Sequence, residues 1–236
     1  MASSNVKTAF WRGARDALPF TLVVGPFALL FGVVATEAGL DLSATMGFSV
    51  LVIAGASQFA ALQQMTEGAP VVVAIATALA VNLRMAMYSA ALLPYLGAAP
   101  LWKRAVVAYL NVDQTYAMSV AKYEASPQMP LDERLAFFFG LAFPVAPTWY
   151  AMTLVGAVAG TRIPPGFAID FALPITFIAI MAPMLRTLAH VAAAVTSIVA
   201  ALALSVLPYN AGLLIAAALA MAVGAQVELW LGRRRQ

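Results

Sequence analysis

The chain has 236 residues, 63% of them hydrophobic and 10% charged, with a mean hydropathy of +0.90 and a formal net charge of +3. A soluble domain carries about 25% charge, so the composition predicts a protein embedded in a lipid bilayer. There is no cysteine, which excludes a disulfide framework, a thiolate metal site and a cysteine nucleophile.

A helix needs about 20 apolar residues to cross the hydrocarbon core. Eight segments meet that need: Leu18–Ala38, Ala44–Met65, Ala69–Leu93, Arg104–Tyr123, Leu135–Gly160, Phe167–Leu185, Leu188–Leu207 and Ala211–Leu231. The predicted fold class is all-α, a polytopic transmembrane bundle of seven to eight spans with short loops. It forms a single membrane domain over residues 1–236. The N-terminus is short and basic (Lys7, Arg12, Arg15), and the apolar run behind it is too long for a signal-peptide core. Leu18–Ala38 therefore reads as a retained first span.

Lys and Arg mark the cytoplasmic side of a membrane protein. The basic N-terminus is expected there, and the next loop, with only Glu37 and Asp41, suits the outside. Eight spans bring Arg233-Arg234-Arg235 back to the cytoplasm, where it reads as a membrane-surface anchor. No basic face accompanies it, so nucleic acid is not an expected partner. On this count Lys103 and Arg104 fall outside, against the rule, unless the third or fourth segment is re-entrant or tilted.

Proline removes a helical hydrogen bond and crowds the preceding turn. Gly25-Pro26 is expected to interrupt the first span, Pro144 and Pro147 the fifth, and Pro174 and Pro183 the sixth. Such prolines either only kink a helix or open backbone toward a substrate. Gly32–Ala61 can be laid over Gly156–Leu185 without a gap, a weak internal repeat with possible halves 12–97 and 134–231. Gly25, Gly32 and Gly39 recur every seven residues and are expected to share one helix face, suited to close packing.

The polar residues inside apolar runs are the candidate site. Gln58, in Gly55-Ala56-Ser57-Gln58, must find partners in lipid and reads either as interhelical glue or as a solute contact. Asn82-Leu83-Arg84 sits within Ala69–Leu93, where a charge costs at least about 2.5–3.5 kcal/mol. Arg84 has three readings: an ion pair, a snorkelling side chain, or a bidentate carboxylate binder. Asp113 is its obvious counter-charge and a candidate proton carrier. Tyr109, Asp113 and Tyr116 fall on one face at helical spacing, with Asn111 and Gln114 beside them. The candidate transport path is Pro26, Gly55, Gln58, Asn82, Arg84, Asp113, Gln114 and Tyr116. Asp170 and the lone His190 are weaker candidates.

Enzyme signatures are missing: no glycine-rich phosphate loop, no H-E-x-x-H and no G-x-S-x-G. No cofactor and no metal is expected. A polar cluster within apolar walls suggests transport of a small polar solute. A uniporter or channel, and an intramembrane enzyme acting on a lipid, are the alternatives.

Several fragments resemble the AzlC (LIV-E, YgaZ-like) family of branched-chain amino acid exporters. They are Leu18-Pro19 with Pro26-Phe27 and Gly32; Ala54-Gly55-Ala56-Ser57-Gln58-Phe59; Asn82-Leu83-Arg84 with Tyr88 and Pro94; Asp113-Gln114-Thr115-Tyr116; and Ile169-Asp170-Phe171-Ala172. The likeness spans about Arg12 to Leu207. It implies export of valine, leucine or isoleucine from the cytoplasm across the inner membrane, and a small AzlD-type membrane subunit as partner. The family usually has Asp-Glu where this chain has Asp113-Gln114, so one ionisable group is missing.

Overall fold

The computed structural model describes residues 2–161, 185, 187–207 and 211–233, and all regular structure among them is helical. The helices are α1 (Ala2–Glu37), α2 (Leu42–Leu51), α3 (Gly55–Thr66), α4 (Val71–Leu96), α5 (Leu101–Tyr109), α6 (Asp113–Ala125), α7 (Leu131–Gly160), α8 (Leu188–Ala203) and α9 (Ala211–Arg233). By length and composition α1, α4, α7 and α9 can each cross a membrane.

Two predicted spans are corrected. Ala44–Met65 is not one helix but α2 and α3, and Arg104–Tyr123 is α5 and α6. At 1.5 Å per residue these four helices reach about 13–20 Å each, short of a hydrocarbon core about 30 Å thick. The expected proline breaks are corrected too. α1 runs unbroken through Pro19 and Pro26, and α7 through Pro144 and Pro147. In lipid the remaining backbone bonds hold a helix together, because nothing else would satisfy them. The real breaks, Val52–Ala54 and Leu110–Val112, contain neither proline nor glycine. Gly39 is not on the α1 face either. With φ +90° it closes the helix, its N–H donating to Thr36 O (3.0 Å) while Leu40 N–H donates to Ala35 O (3.0 Å).

The described residues form two compact units, 1–59 with 81–163, and 60–80 with 164–236. The first is built on α1 and α7. These run parallel, side by side: a methyl group on Gly13 would overlap the Phe137 carbonyl, and one on Gly32 would overlap the Thr153 carbonyl. In return Gly140 abuts Phe10, Gly156 abuts Leu29, and Gly160 abuts Val33 and Thr36. Small residues let two membrane helices approach to backbone contact. Gly25, by contrast, meets only the Met152 and Thr148 side chains, at 3.7 Å.

Two hairpins lie against this pair. Phe48 of α2 and Phe59 of α3 both pack on Phe31, with ring centroids 5.8 and 5.4 Å away. A straight helix would set those residues about 16 Å apart, so the chain doubles back between them. This hairpin starts beside the C-terminal end of α1. The other starts from the opposite end. α6 runs parallel to the end of α4, pairing Arg84 with Asp113, Tyr88 with Tyr116 and Tyr95 with Tyr123. The Tyr123 hydroxyl donates to the Arg134 carbonyl (2.8 Å), and Arg134 Nη1 donates to the Tyr95 carbonyl (3.3 Å). The ends of α4 and α6 therefore meet the start of α7. α5 climbs from that end and α6 returns to it.

The turned-back segments explain the misplaced charges. Lys7, Arg12 and Arg15 lie in the first half of α1, Lys103 and Arg104 at the start of α5, Lys122 near the end of α6, and Arg134 at the start of α7. All belong to one end of the α1–α7 pair. The other end holds Glu37 and Asp41.

In the second unit α8 and α9 pack together, with Gly224 against Ala189 and Ala193. Thr187 caps α8, its hydroxyl accepting from the His190 N–H (3.2 Å), which places His190 in an exposed first turn. The predicted span Phe167–Leu185 up to residue 184, Pro174, Pro183, Asp170, Arg186, Arg234 and Arg235 lie outside the described residues, as does most of the second copy of the repeat.

Candidate functional site

The two hairpin tips meet in the second half of α7, at Trp149, Tyr150 and Thr153. The Tyr109 hydroxyl, at the end of α5, lies 2.6 Å from the Val50 carbonyl near the end of α2 and 2.6 Å from the Tyr150 hydroxyl. Trp149 Nε1 donates to Ser49 Oγ (2.7 Å), and Ser49 Oγ lies 3.2 Å from Thr153 Oγ1. The sequence reading missed Ser49, Trp149, Tyr150 and Thr153. Trp149, Tyr150 and Thr153 had one signal, a cluster of polar side chains following Pro147 in a largely apolar stretch, and Ser49 had none.

Each tip has a local cause. Gly55 opens α3 in a place where a Cβ would overlap the rings of Phe27 and Trp149. Phe27, Phe31, Phe59 and Trp149 thus wedge around the start of the helix. At the other tip, the buried Thr115 hydroxyl lies 2.9 Å from both the Leu110 and Val112 carbonyls. Those carbonyls also accept from the Val112 N–H (3.0 Å) and the Tyr116 N–H (2.9 Å), so the hydroxyl finds its own acceptor within the break.

Arg84 Nη1 lies 3.1 Å from Asp113 Oδ2, with the side chains 31% and 41% exposed. Asp113 is the first residue of α6, where a helix N-terminus favours negative charge. The break at Leu110–Val112 corrects the expected single face: Tyr109 belongs to α5, whereas Asp113 and Tyr116 belong to α6. Tyr116 stacks on Tyr88 at 4.1 Å and 9°. Gln114 follows in the first turn, half-buried. Asn111 is in the break, 1% exposed, and its Nδ2 donates to Ser89 Oγ (3.3 Å).

Several polar atoms here are buried without a protein partner among the described residues. They are Asn82 Oδ1, Arg84 Nε, Asn111 Oδ1, Asp113 Oδ1 and both amide atoms of Gln58, which is 0% exposed. Buried polar groups are nearly always paired, so this concentration needs an explanation. Arg84 and Asp113 themselves, with Asn82 and Asn111 near them in sequence, hold spare donors and acceptors at the α4–α6 pair, and Gln58 holds them at the start of α3. Pro26 stands apart from the other candidates as an exposed residue within continuous α1.

The AzlC protein family matches residues 19–163, more than half of the chain. The chain is 27% identical over 178 residues to the inner membrane protein YgaZ of Escherichia coli (strain K12), covering 73% of this chain and 71% of that protein. It is 30% identical over 224 residues to an uncharacterized membrane protein of Archaeoglobus fulgidus, covering 93% and 95%. No solved structure matches it.

Proposed function

This chain belongs to the AzlC family of membrane proteins, and from that premise we propose that it exports branched-chain amino acids as a proton-coupled secondary transporter. The observation that carries the reading is the Arg84–Asp113 pair, in which Arg84 Nε and Asp113 Oδ1, like Asn82 Oδ1 and Asn111 Oδ1, are buried without a partner among the described residues. A zwitterionic solute carries both the donors and the acceptors such a place lacks, and apolar walls suit a short aliphatic side chain. Asn82, Arg84, Asp113, Gln114 and Tyr116 organise the path, Asp113 carries the proton, and a small AzlD-type membrane subunit completes the transporter. The basic end of the first unit faces the cytoplasm, and the membrane is the inner one, as in the name of the Escherichia coli relative.

The test is intracellular valine, leucine and isoleucine after a dipeptide load, with and without this gene and its neighbour. Loss of the gene should raise all three. Unchanged levels in a strain free of other exporters would refute export. Transport by the purified chain alone in liposomes would refute the need for a partner. Substrate flux with no accompanying proton flux would favour a uniporter or channel.

A further inference from the structure

The chain folds two half-length hairpins toward each other, and both return helices, α3 and α6, begin at the meeting point. A helix begins with N–H groups that have no acceptor inside it, and with the positive end of its dipole. At α6 that positive end is already matched by Asp113. At α3 no acidic residue is in the first turn. What stands there instead is Gln58, fully buried, with neither amide atom partnered among the described residues.

Gln58 is three residues after Gly55, so the two share a helix face. Helical side chains lean toward the N-terminus. The Gln58 side chain therefore leans toward the first turn of α3, beside the Phe27 and Trp149 rings that fill the space over Gly55. Across the joined tips, Asn111 Oδ1 and Asp113 Oδ1 have no hydrogen-bond donor among the described residues. One tip offers the Gln58 amide beside the positive end of a helix dipole, and the other offers the Asn111 and Asp113 oxygens, with Arg84 paired to Asp113.

We propose that the hairpin tips hold an α-amino acid between them, with its carboxylate on the first turn of α3 and the Gln58 amide, and its ammonium on Asp113 and Asn111. Arg84 is then a positioning residue that holds Asp113, and not the carboxylate binder. The Tyr109–Val50 and Tyr109–Tyr150 contacts hold the two half-sites together. The assignment rests on the amino acid transport reading above and gives that substrate an orientation.

The experiment is equilibrium binding of labelled valine to the purified full chain with its partner subunit, if one co-purifies. Competitors are isovalerate, which keeps the carboxylate, and isobutylamine, which keeps the amine. Gln58→Glu places an anion at the α3 end, so valine and isovalerate should weaken at least tenfold while isobutylamine is unchanged. Asp113→Asn should have the opposite selectivity, weakening isobutylamine and sparing isovalerate. If Gln58→Glu and Gln58→Leu both bind valine and isovalerate within twofold of the parent, the orientation is wrong. It is also wrong if Arg84→Gln, and not Gln58→Glu, removes isovalerate binding. Should the Gln58 variants not fold, the parent protein decides: valinamide, with a neutral carbonyl end, must bind at least tenfold more weakly than valine, and equal binding overturns the proposal. A parent that binds some other α-amino acid but no branched-chain one refutes the substrate, and the same variants then test the orientation with that ligand. A parent that binds no α-amino acid overturns both.

Discussion

The α1–α7 pair and the hairpin tips are built on opposite rules. Along the pair, Gly13, Gly32, Gly140, Gly156 and Gly160 bring backbone against backbone. Hydroxyls there are used up locally, as Thr36 Oγ1 is by the Gly32 (3.1 Å) and Val33 (2.9 Å) carbonyls. At the tips, aromatic rings replace glycines as spacers and polar atoms are left over. The pair is a frame with no freedom left in it. The tips are where free energy of stability is forgone, which is the usual mark of a place that works on something else.

The largest effect that separates the two regions comes from the frame. Gly156→Val puts a side chain into the Leu29 backbone. Overpacking costs about 1–3 kcal/mol and more when backbone must move. Monodisperse yield in mild detergent should collapse, and a variant that purifies like the parent would show that the helices can separate freely.

Next come the charges at the tips. Asp113→Asn and Arg84→Gln should each abolish export in the dipeptide-load assay. Stranding one member of a buried pair costs about 3–5 kcal/mol, and the partial exposure of both side chains brings the cost below that range. Expression should therefore fall less than for Gly156→Val. The double neutral variant should recover thermal stability relative to either single one while export stays lost. Normal export by both single variants would remove the pair from the transport path.

Tyr109→Phe keeps the ring but removes the hydroxyl shared with Val50 and Tyr150. A typical hydrogen bond contributes about 0.5–1.5 kcal/mol, so thermal stability should drop slightly while export rate changes more. Equal rates would mean that the tips need no such fastening.

The smallest effect lies outside both regions. Asp41 caps α2, accepting from the Ala44 N–H (2.6 Å) and then from the Ser43 hydroxyl (2.8 Å), which hold its carboxyl below the usual 3.8. A carboxylate depressed in the folded state adds stability above the unfolded value and loses it as pH falls through the folded one. Asp41→Ala should thus remove a small increment at neutral pH and none at the acid end of a melting series. An unchanged difference across that range would contradict the cap.

The spans α1, α4, α7 and α9 were legible because length and hydropathy alone define them. The hairpins were not. Residues 42–66 and 101–125 match a span in length, and their breaks carry no proline or glycine to announce them. The charges did hint at it, since Lys103 and Arg104 made sense only if something turned back. Arg84 and Asp113 could be paired on paper because no other charges lie so deep in apolar segments. Gln58 and Asn82 stood out as amides in lipid. Ser49, Tyr150 and Thr153 did not, because membrane helices routinely satisfy such hydroxyls within their own turn.

The bend between α2 and α3 also has a bearing on how the protein is made. Trp149 and Ser49, which fasten that bend to α7, are 100 residues apart in the chain. While the ribosome is still synthesising α4, Phe31 of α1 is already there to receive Phe48 and Phe59, but Trp149 and Thr153 are not. The hairpin therefore meets its two sets of partners at different times: the aromatic contacts with α1 can form early, and the hydrogen bonds that fix its tip must wait for α7.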